Sequence, residues 1–400
     1  MLKSMRPAQF AFPDFNRAPF LVIWEVTRAC ALACVHCRAD AIHRRDPREL
    51  TTDEAFRLID QVRGFGDPST GSGRPLFVLT GGDPMRRPDL PELVRYAAGT
   101  GLTVALTPSG TAAATPAKLA ALKEAGLSRV AVSLDGPTPE LHDAFRGVRG
   151  SYGWTMRIIE AAIDLDLPLQ INSTISKRTL EHFEAMAARV AGFPLTLWAL
   201  FFLIQTGRGA SLEQINDIEC EKVLNRLYDL SLTSPFGIKT TEAPHYQRVV
   251  WQREQQRMAD GLPSQAIARR RQLRAPRSVN DGNGFVFIDH LGNICPSGFL
   301  PVQRGNVRTT SLADVYRTDD VFTRLRDAGA LMGKCGRCQF REICGGSRSR
   351  AFAATGAVMA SDPLCTYEPG SEVEPLVASG RPDAMAMTVS ADYSGRPLEA

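Results

Sequence analysis

The 400-residue chain lacks an apolar run long enough to cross a membrane. Its most apolar stretch, Val190 to Ile204, is broken by Gly192 and Pro194. It falls short of the roughly 20 residues a membrane helix needs, and a buried strand is expected there instead. Met1 to Pro19 has no apolar secretion-signal core, only two basic residues before Phe10 and then Pro and Asp, so a cytoplasmic protein is expected. An excess of one charge sign is also missing. The formal net charge of +4 gives no reason to expect nucleic acid. The local run Arg269, Arg270, Arg271, Arg274, Arg277 reads either as a solvated helix face or as guanidinium forks for a carboxylate-bearing substrate. Nine cysteines are too few for a disulfide scaffold in a chain of this length, and no internal repeat is visible. The apolar fraction of 44% is ordinary and allows one large domain or two.

The cysteines that are present fall into groups. Cys30, Cys34 and Cys37 stand in Trp24-Glu-Val-Thr-Arg-Ala-Cys-Ala-Leu-Ala-Cys-Val-His-Cys37, directly after the strand-like segment Phe20 to Val26. Their C-x3-C-x2-C spacing supplies three thiolates to a four-iron cluster and leaves one iron without a protein ligand. Such an iron can chelate a small molecule that carries an amine and a carboxylate. Cys335, Cys338, Cys344 and Cys365 form a second set, with the right number of thiolates to saturate another cluster. In a reducing compartment, clustered thiols hold metal rather than pair. Zinc remains the alternative. The first set has only three-quarters of a zinc site, whereas four thiolates in the second would suit tetrahedral zinc. Cys220 reads as a small buried apolar residue and Cys295 as a spare thiol.

Between Phe20 and about Leu203, β-rich runs alternate with helical patterns. The strands are expected at Phe20-Val26, Leu76-Thr80, Thr103-Thr107, Arg129-Leu134, Leu169-Thr174 and Leu195-Leu203. Alternation of this kind implies right-handed βαβ units and a parallel sheet. Six strands do not close an eight-fold barrel, so the expected fold is α/β, a partial (β/α)6 TIM barrel. In parallel barrels chemistry gathers where strands end. Strand one there enters the cysteine loop, strand two Gly81-Gly82-Asp83-Pro84, strand three Pro108-Ser109-Gly110, and strand four Ser133-Leu134-Asp135-Gly136-Pro137. Gly284 to Cys295 reads as a hairpin turning at Leu291-Gly292-Asn293, followed by a helix from Ser311 to Asp327. The chain beyond Cys365 is rich in Pro, Gly, Ser and acidic residues, and disorder is expected.

With these motifs the chain resembles the radical S-adenosylmethionine (SAM) superfamily, and within it the members with a C-terminal SPASM or twitch extension; the resemblance covers about Pro19 to Tyr367. It implies that Cys30, Cys34 and Cys37 ligate a catalytic 4Fe-4S cluster, with His36 at the usual aromatic position. Gly81, Gly82, Asp83 and Pro84 resemble the Gly-Gly-Glu-Pro run that receives the methionyl amino group of SAM, with Asp one methylene shorter than Glu. Ser109 resembles a residue near the methionyl carboxylate, which Arg146 could also approach, and Ser133 and Asp135 resemble residues near the ribose. Cys335, Cys338, Cys344 and Cys365 match the ligands of one auxiliary 4Fe-4S cluster. The ligands of a further auxiliary cluster would fall at Ser297 and Arg348, so two clusters are expected.

The division implied is an N-terminal extension at 1–19, a radical SAM core at 20–210, a helical linker region at 211–283, a SPASM/twitch-like auxiliary domain at 284–368 and a tail at 369–400. The activity implied is reductive cleavage of SAM and hydrogen abstraction from a substrate. A ribosomal peptide in natural-product or cofactor maturation is preferred by a small margin, the alternative being side-chain modification or decarboxylation of a tetrapyrrole in haem formation. A flavodoxin or ferredoxin would supply electrons. Because strand one begins by Phe20, a peptide maturase would need a stand-alone peptide-recognition protein. The non-enzymatic alternative is an iron-sulfur or zinc scaffold. Glu25 and Asp135 lie near enough in the expected topology to be considered as bases.

Overall fold

The computed structural model describes residues 14–66, 73–263 and 279–370. The arginine run from Arg269 to Arg277 and nearly all of the expected tail lie outside those residues.

Strands β1 (Leu21–Glu25), β2 (Leu76–Thr80), β3 (Thr103–Leu106), β4 (Leu127–Ser133), β5 (Leu169–Ile175) and β6 (Leu197–Phe202) pair in parallel and in sequence. Helices α1 (Thr52–Arg63), α2 (Leu90–Gly99), α3 (Pro116–Glu124), α4 (Pro139–Arg146), α5 (Ser151–Asp164), α6 (Lys177–Leu180) and α7 (Phe183–Ala191) connect them. Several helix starts are written locally. The Thr51 hydroxyl and the Glu54 carboxylate close a capping box on α1, and Thr115 caps α3 with Pro116 at its first position. β1, β2, β3 and β6 read as near-continuous apolar runs because helices cover one face of the sheet and side chains fill the other, whereas β4 (LSRVAVS) and β5 (LQINSTI) interleave polar residues. Trp24, Phe77, Val104, Val132, Ile171 and Trp198 are almost completely buried.

The parallel run extends beyond the six anticipated strands at both ends. β7 (Gly237–Thr241) pairs with β6; its Gly-Ile-Lys-Thr-Thr sequence has a single large apolar residue and carries no strand signal of its own. It lies within the segment expected to be a helical linker, between α8 (Asp217–Thr233) and α9 (His245–Ala259). At the other edge β8 (Phe285–Ile288) pairs in parallel with β1, then turns into antiparallel β9 (Asn293–Cys295) and β10 (Gly305–Asn306). The expected hairpin is therefore present, but its first strand belongs to the barrel sheet, and the boundary set at residue 284 falls inside that sheet. The order is β10-β9-β8-β1-β2-β3-β4-β5-β6-β7, an open barrel in which β7 and β8 do not pair.

The helix expected from Ser311 to Asp327 is two helices, α10 (Leu312–Thr318) and α11 (Asp320–Arg326). Asp319 is extended between them and accepts from the N–H groups of Val321 and Phe322, so it caps the second helix instead of continuing the first. Two short helices, α12 (Gly333–Arg337) and α13 (Arg348–Thr355), frame the second cysteine set.

Candidate functional site

The loop after β1 carries the first three cysteines at the carboxyl end of the barrel. Cys30 and Cys34 are buried with Leu32, and Cys37 packs half-buried beside them. Each sulfur accepts a hydrogen bond: Cys30 from the Leu32 N–H at 3.3 Å, Cys37 from the Ala41 N–H at 3.5 Å, and Cys34 from Arg146 Nη1 at 3.7 Å. The Ser109 hydroxyl lies 3.7 Å from the Cys30 sulfur. Burial pushes the Cys30 and Cys34 thiols above their ordinary value, and the Arg146 guanidinium pulls Cys34 back down. Donors aimed at sulfur favour the thiolate form that iron requires. The thiols are spread along the loop, and among the described residues no three His, Cys, Asp or Glu side chains converge on a single ion. Three thiols on one loop, each with a donor aimed at its sulfur, suit three of the four irons of a 4Fe-4S cluster.

The glycines after β2 are needed for a backbone seam. Gly82 N–H donates to the Thr27 carbonyl at 2.8 Å and Asp83 N–H to the Ala29 carbonyl at 2.7 Å. A Cβ at Gly81 would stand 2.4 Å from the Thr27 oxygen, and one at Gly82 would stand 2.6 Å from the oxygens of Arg28 and Ala29. The seam extends β1–β2 pairing into the cysteine loop. Asp83 is fully buried; Oδ2 accepts from the Thr111 hydroxyl at 2.7 Å and Oδ1 from the Met85 N–H at 3.1 Å. Burial raises its pKa against these bonds. Pro84 starts the 3-10 turn that Asp83 caps. Ser109 donates to the Gly82 carbonyl at 2.7 Å.

Ser133 ends β4 half-buried, in register with Asn172. Asp135 and Arg146 meet each other: Asp135 Oδ2 lies 2.5 Å from Arg146 Nη2, while Oδ1 accepts from the Thr174 N–H at 2.7 Å. The guanidinium holds Asp135 below the ordinary carboxylate range despite its burial. Arg146 thus ties the β4 loop to Cys34. His36 stacks on Phe145 at 4.2 Å, and burial drives its pKa down to about 3, so the imidazole is neutral.

Arg208, Thr27, Glu49, Arg38 and His290 were not anticipated in this neighbourhood, whereas Glu25 was, as a possible base. Arg208 follows β6; its Nε donates to the Cys34 carbonyl and its N–H to the Cys37 carbonyl, both at 3.0 Å. Thr27 donates to Glu49 at 2.6 Å beneath the loop. Glu25 Oε2 pairs with Arg38 Nη2 at 3.0 Å and Oε1 with His290 Nδ1 at 2.8 Å. The only signal for Arg208 was Gly207-Arg208-Gly209 at a strand end; the others depend on contacts across 22 and 265 residues.

The second set is assembled around α12. Cys335 is buried and Cys338, Cys344 and Cys365 are half-buried. Backbone N–H groups of Asp362, Phe340 and Gly346 point at the sulfurs of Cys335, Cys338 and Cys344 at 3.4–3.5 Å. Arg348 Nη2 reaches the Cys335 sulfur at 3.7 Å. Burial raises the Cys344 thiol strongly and the Cys365 thiol to about 11. Ser297 and Arg348, the positions of the absent further ligands, are both buried.

An open parallel sheet with a three-thiol loop on β1 and a glycine seam from β2 defines a class, and comparison with known proteins agrees. The profile of the Radical SAM superfamily matches residues 24–190. An AdoMet-dependent heme synthase of Oleidesulfovibrio alaskensis is 41% identical over 358 residues, 89% of each chain. Another from Methanosarcina barkeri is 37% identical, covering 89% of this chain and 99% of its own. A PqqA peptide cyclase of Rhodopseudomonas palustris is 28% identical over 88% of both. Streptococcus suis SuiB bound to S-adenosylmethionine shares the fold with a TM-score of 0.64 at 15% identity, covering 88% of this chain and 78% of that one.

The chain belongs to the radical SAM superfamily, and it is an enzyme. A 4Fe-4S cluster and SAM come with that membership. No helix among the described residues is long and apolar enough to cross a membrane.

Proposed function

We propose that this enzyme oxidatively decarboxylates propionate side chains of an iron tetrapyrrole. The observation that carries the reading is the 41% identity to an AdoMet-dependent heme synthase over 89% of both chains, against 28% for the peptide cyclase. Cys30, Cys34 and Cys37 would hold the catalytic cluster. When bound, the cluster and SAM supply a 5'-deoxyadenosyl radical that takes a hydrogen atom from the substrate. The glycine seam at Gly81 and Gly82 fixes the loop against β2, Ser109 stands beside the Cys30 sulfur, and Ser133 ends β4. Asp83 orders the loop through Thr111 and Met85, and Asp135 with Arg146 locks it from the β4 side.

A propionate that has lost a hydrogen atom becomes a vinyl group by releasing CO2 and one further electron. Cys335, Cys338, Cys344 and Cys365 would hold the auxiliary cluster able to take that electron, and a flavodoxin or ferredoxin would serve the first cluster. Glu25 has both oxygens committed to Arg38 and His290, and Asp135 is committed to Arg146 and Thr174, so neither is a free base. None is needed, because the carboxylate is already ionised.

The test is reconstituted enzyme with dithionite, SAM and iron coproporphyrin III, read by mass spectrometry. Loss of CO2 and two hydrogens per converted side chain, matched by 5'-deoxyadenosine, is expected. Formation of 5'-deoxyadenosine with an unaltered porphyrin would refute it. Peptide modification is the second reading, favoured by the peptide-cyclase relative; in that case a precursor peptide and not the porphyrin would raise 5'-deoxyadenosine output.

A further inference from the structure

Arg38 follows the last cysteine of the first set, and its side chain turns back over the end of β1. Its Nη2 lies 3.0 Å from Glu25 Oε2, and Nη1 donates to the Gly298 carbonyl at 3.4 Å. The guanidinium carbon stands 4.7 Å from the ring centre of Phe287 on β8 and 5.9 Å from that of Phe299. Phe299 also meets Phe201 of β6, with ring centres 6.5 Å apart. The segment after β9 therefore reaches β6 through Phe299 and leaves the arginine beside two phenylalanine rings, Phe287 and Phe299. Gly298 makes room for it, since a Cβ there would stand 3.0 Å from the guanidinium carbon and Nη1.

The cluster has an inner and an outer part. The Glu25 side chain is 4% exposed and that of His290 9%, while Arg38 is 20% exposed and is the member a ligand can reach. Two hydrogen bonds use two of the five N–H donors of a guanidinium, and the planar fork can still take a carboxylate bidentately. Glu25 and His290 fix its orientation from beneath. A rigid cation backed by phenylalanines complements a ligand that is itself flat, aromatic and edged with carboxylates.

We infer that Arg38 is the receiving group for a propionate carboxylate of the tetrapyrrole, with Phe287 and Phe299 as its aromatic backing and Glu25 and His290 as positioning residues. This rests on the tetrapyrrole reading and adds which part of the barrel mouth selects the substrate. The competing role is a strut that only braces the cysteine loop, and a strut gives no preference for a charged substrate.

The experiment titrates the cluster-loaded enzyme with iron coproporphyrin III and, separately, with its tetramethyl ester, following the Soret band. Wild type is expected to bind the acid at least about tenfold more tightly than the ester, as a charge-assisted contact should. Arg38→Gln should weaken acid binding by about tenfold to a hundredfold and abolish the preference, and Arg38→Lys should restore part of it. Gly298→Ala keeps the charge but crowds the guanidinium, and should also weaken acid binding; it replaces Arg38→Gln if that variant does not load iron. Equal binding of acid and ester by wild type, or an unchanged preference in the variants, overturns the inference while leaving the tetrapyrrole reading standing. Failure of wild type to bind either form overturns both.

Discussion

The Asp135–Arg146 pair offers the sharpest test of how the site is held. The side chains are 1% and 12% exposed, and the guanidinium also donates to the Cys34 sulfur. Arg146→Met strips a buried carboxylate of its cation, a change that typically costs about 3–5 kcal/mol. Asp135 keeps its 2.7 Å bond from the Thr174 N–H, which places the expectation near the lower end, about 3 kcal/mol. Asp135→Asn leaves the arginine without its carboxylate, with only the Cys34 sulfur as acceptor, and should cost a comparable amount. The double variant should cost less than the sum by about 2 kcal/mol or more, because the second change removes a charge the first left stranded. Urea unfolding of the four proteins under anaerobic conditions measures the cycle. The pH dependence has a definite sign: a carboxylate whose pKa is lowered by folding stabilises above its ordinary value of 3.8, and that contribution fades as pH falls through the lowered value. The gap between wild type and Arg146→Met should therefore close on acidification. Additive costs, within about 0.5 kcal/mol, or a gap that widens in acid, would refute the reasoning.

Gly82→Ala drives a methyl group into the carbonyls of Arg28 and Ala29, and backbone cannot step aside as a side chain can. A loss of about 1–3 kcal/mol is expected, with impaired iron loading of the first set, read by iron assay and thermal unfolding. Wild type should carry about eight irons per chain. Cys34→Ala should lose roughly half of them together with all SAM cleavage, and Cys335→Ala should lose the other half; a wild-type content of four or twelve would contradict two clusters. Folding lowers the pKa of Glu25 and raises that of His290. The first contribution is lost as pH falls below the ordinary value of 4.5, the second as pH rises through the elevated histidine value, above 6.5. Stability plotted against pH should lose its alkaline decline in His290→Gln; a curve unchanged on that side would show the pair contributes nothing.

The chain's local patterns determined the alternation of β1 to β6 with their helices, because short apolar β-rich runs and the spaced apolar positions of amphipathic helices can both be read locally. They also determined the two thiol sets, because ligand spacing within a loop is a local property. The strand-end positions of Gly81-Gly82, Ser109 and Asp135 followed from the same alternation. Tertiary structure alone decided that β7, with so little apolar character, completes one edge of the sheet, and that β8 joins β1 across more than 260 residues. It also decided which charges neutralise each other. Asp135 turned to Arg146, and Glu25 to Arg38 and His290, through the meeting of distant loops at the barrel mouth. A buried charge is stable only with the partner that the fold delivers, and no period or spacing in the sequence encodes that partner.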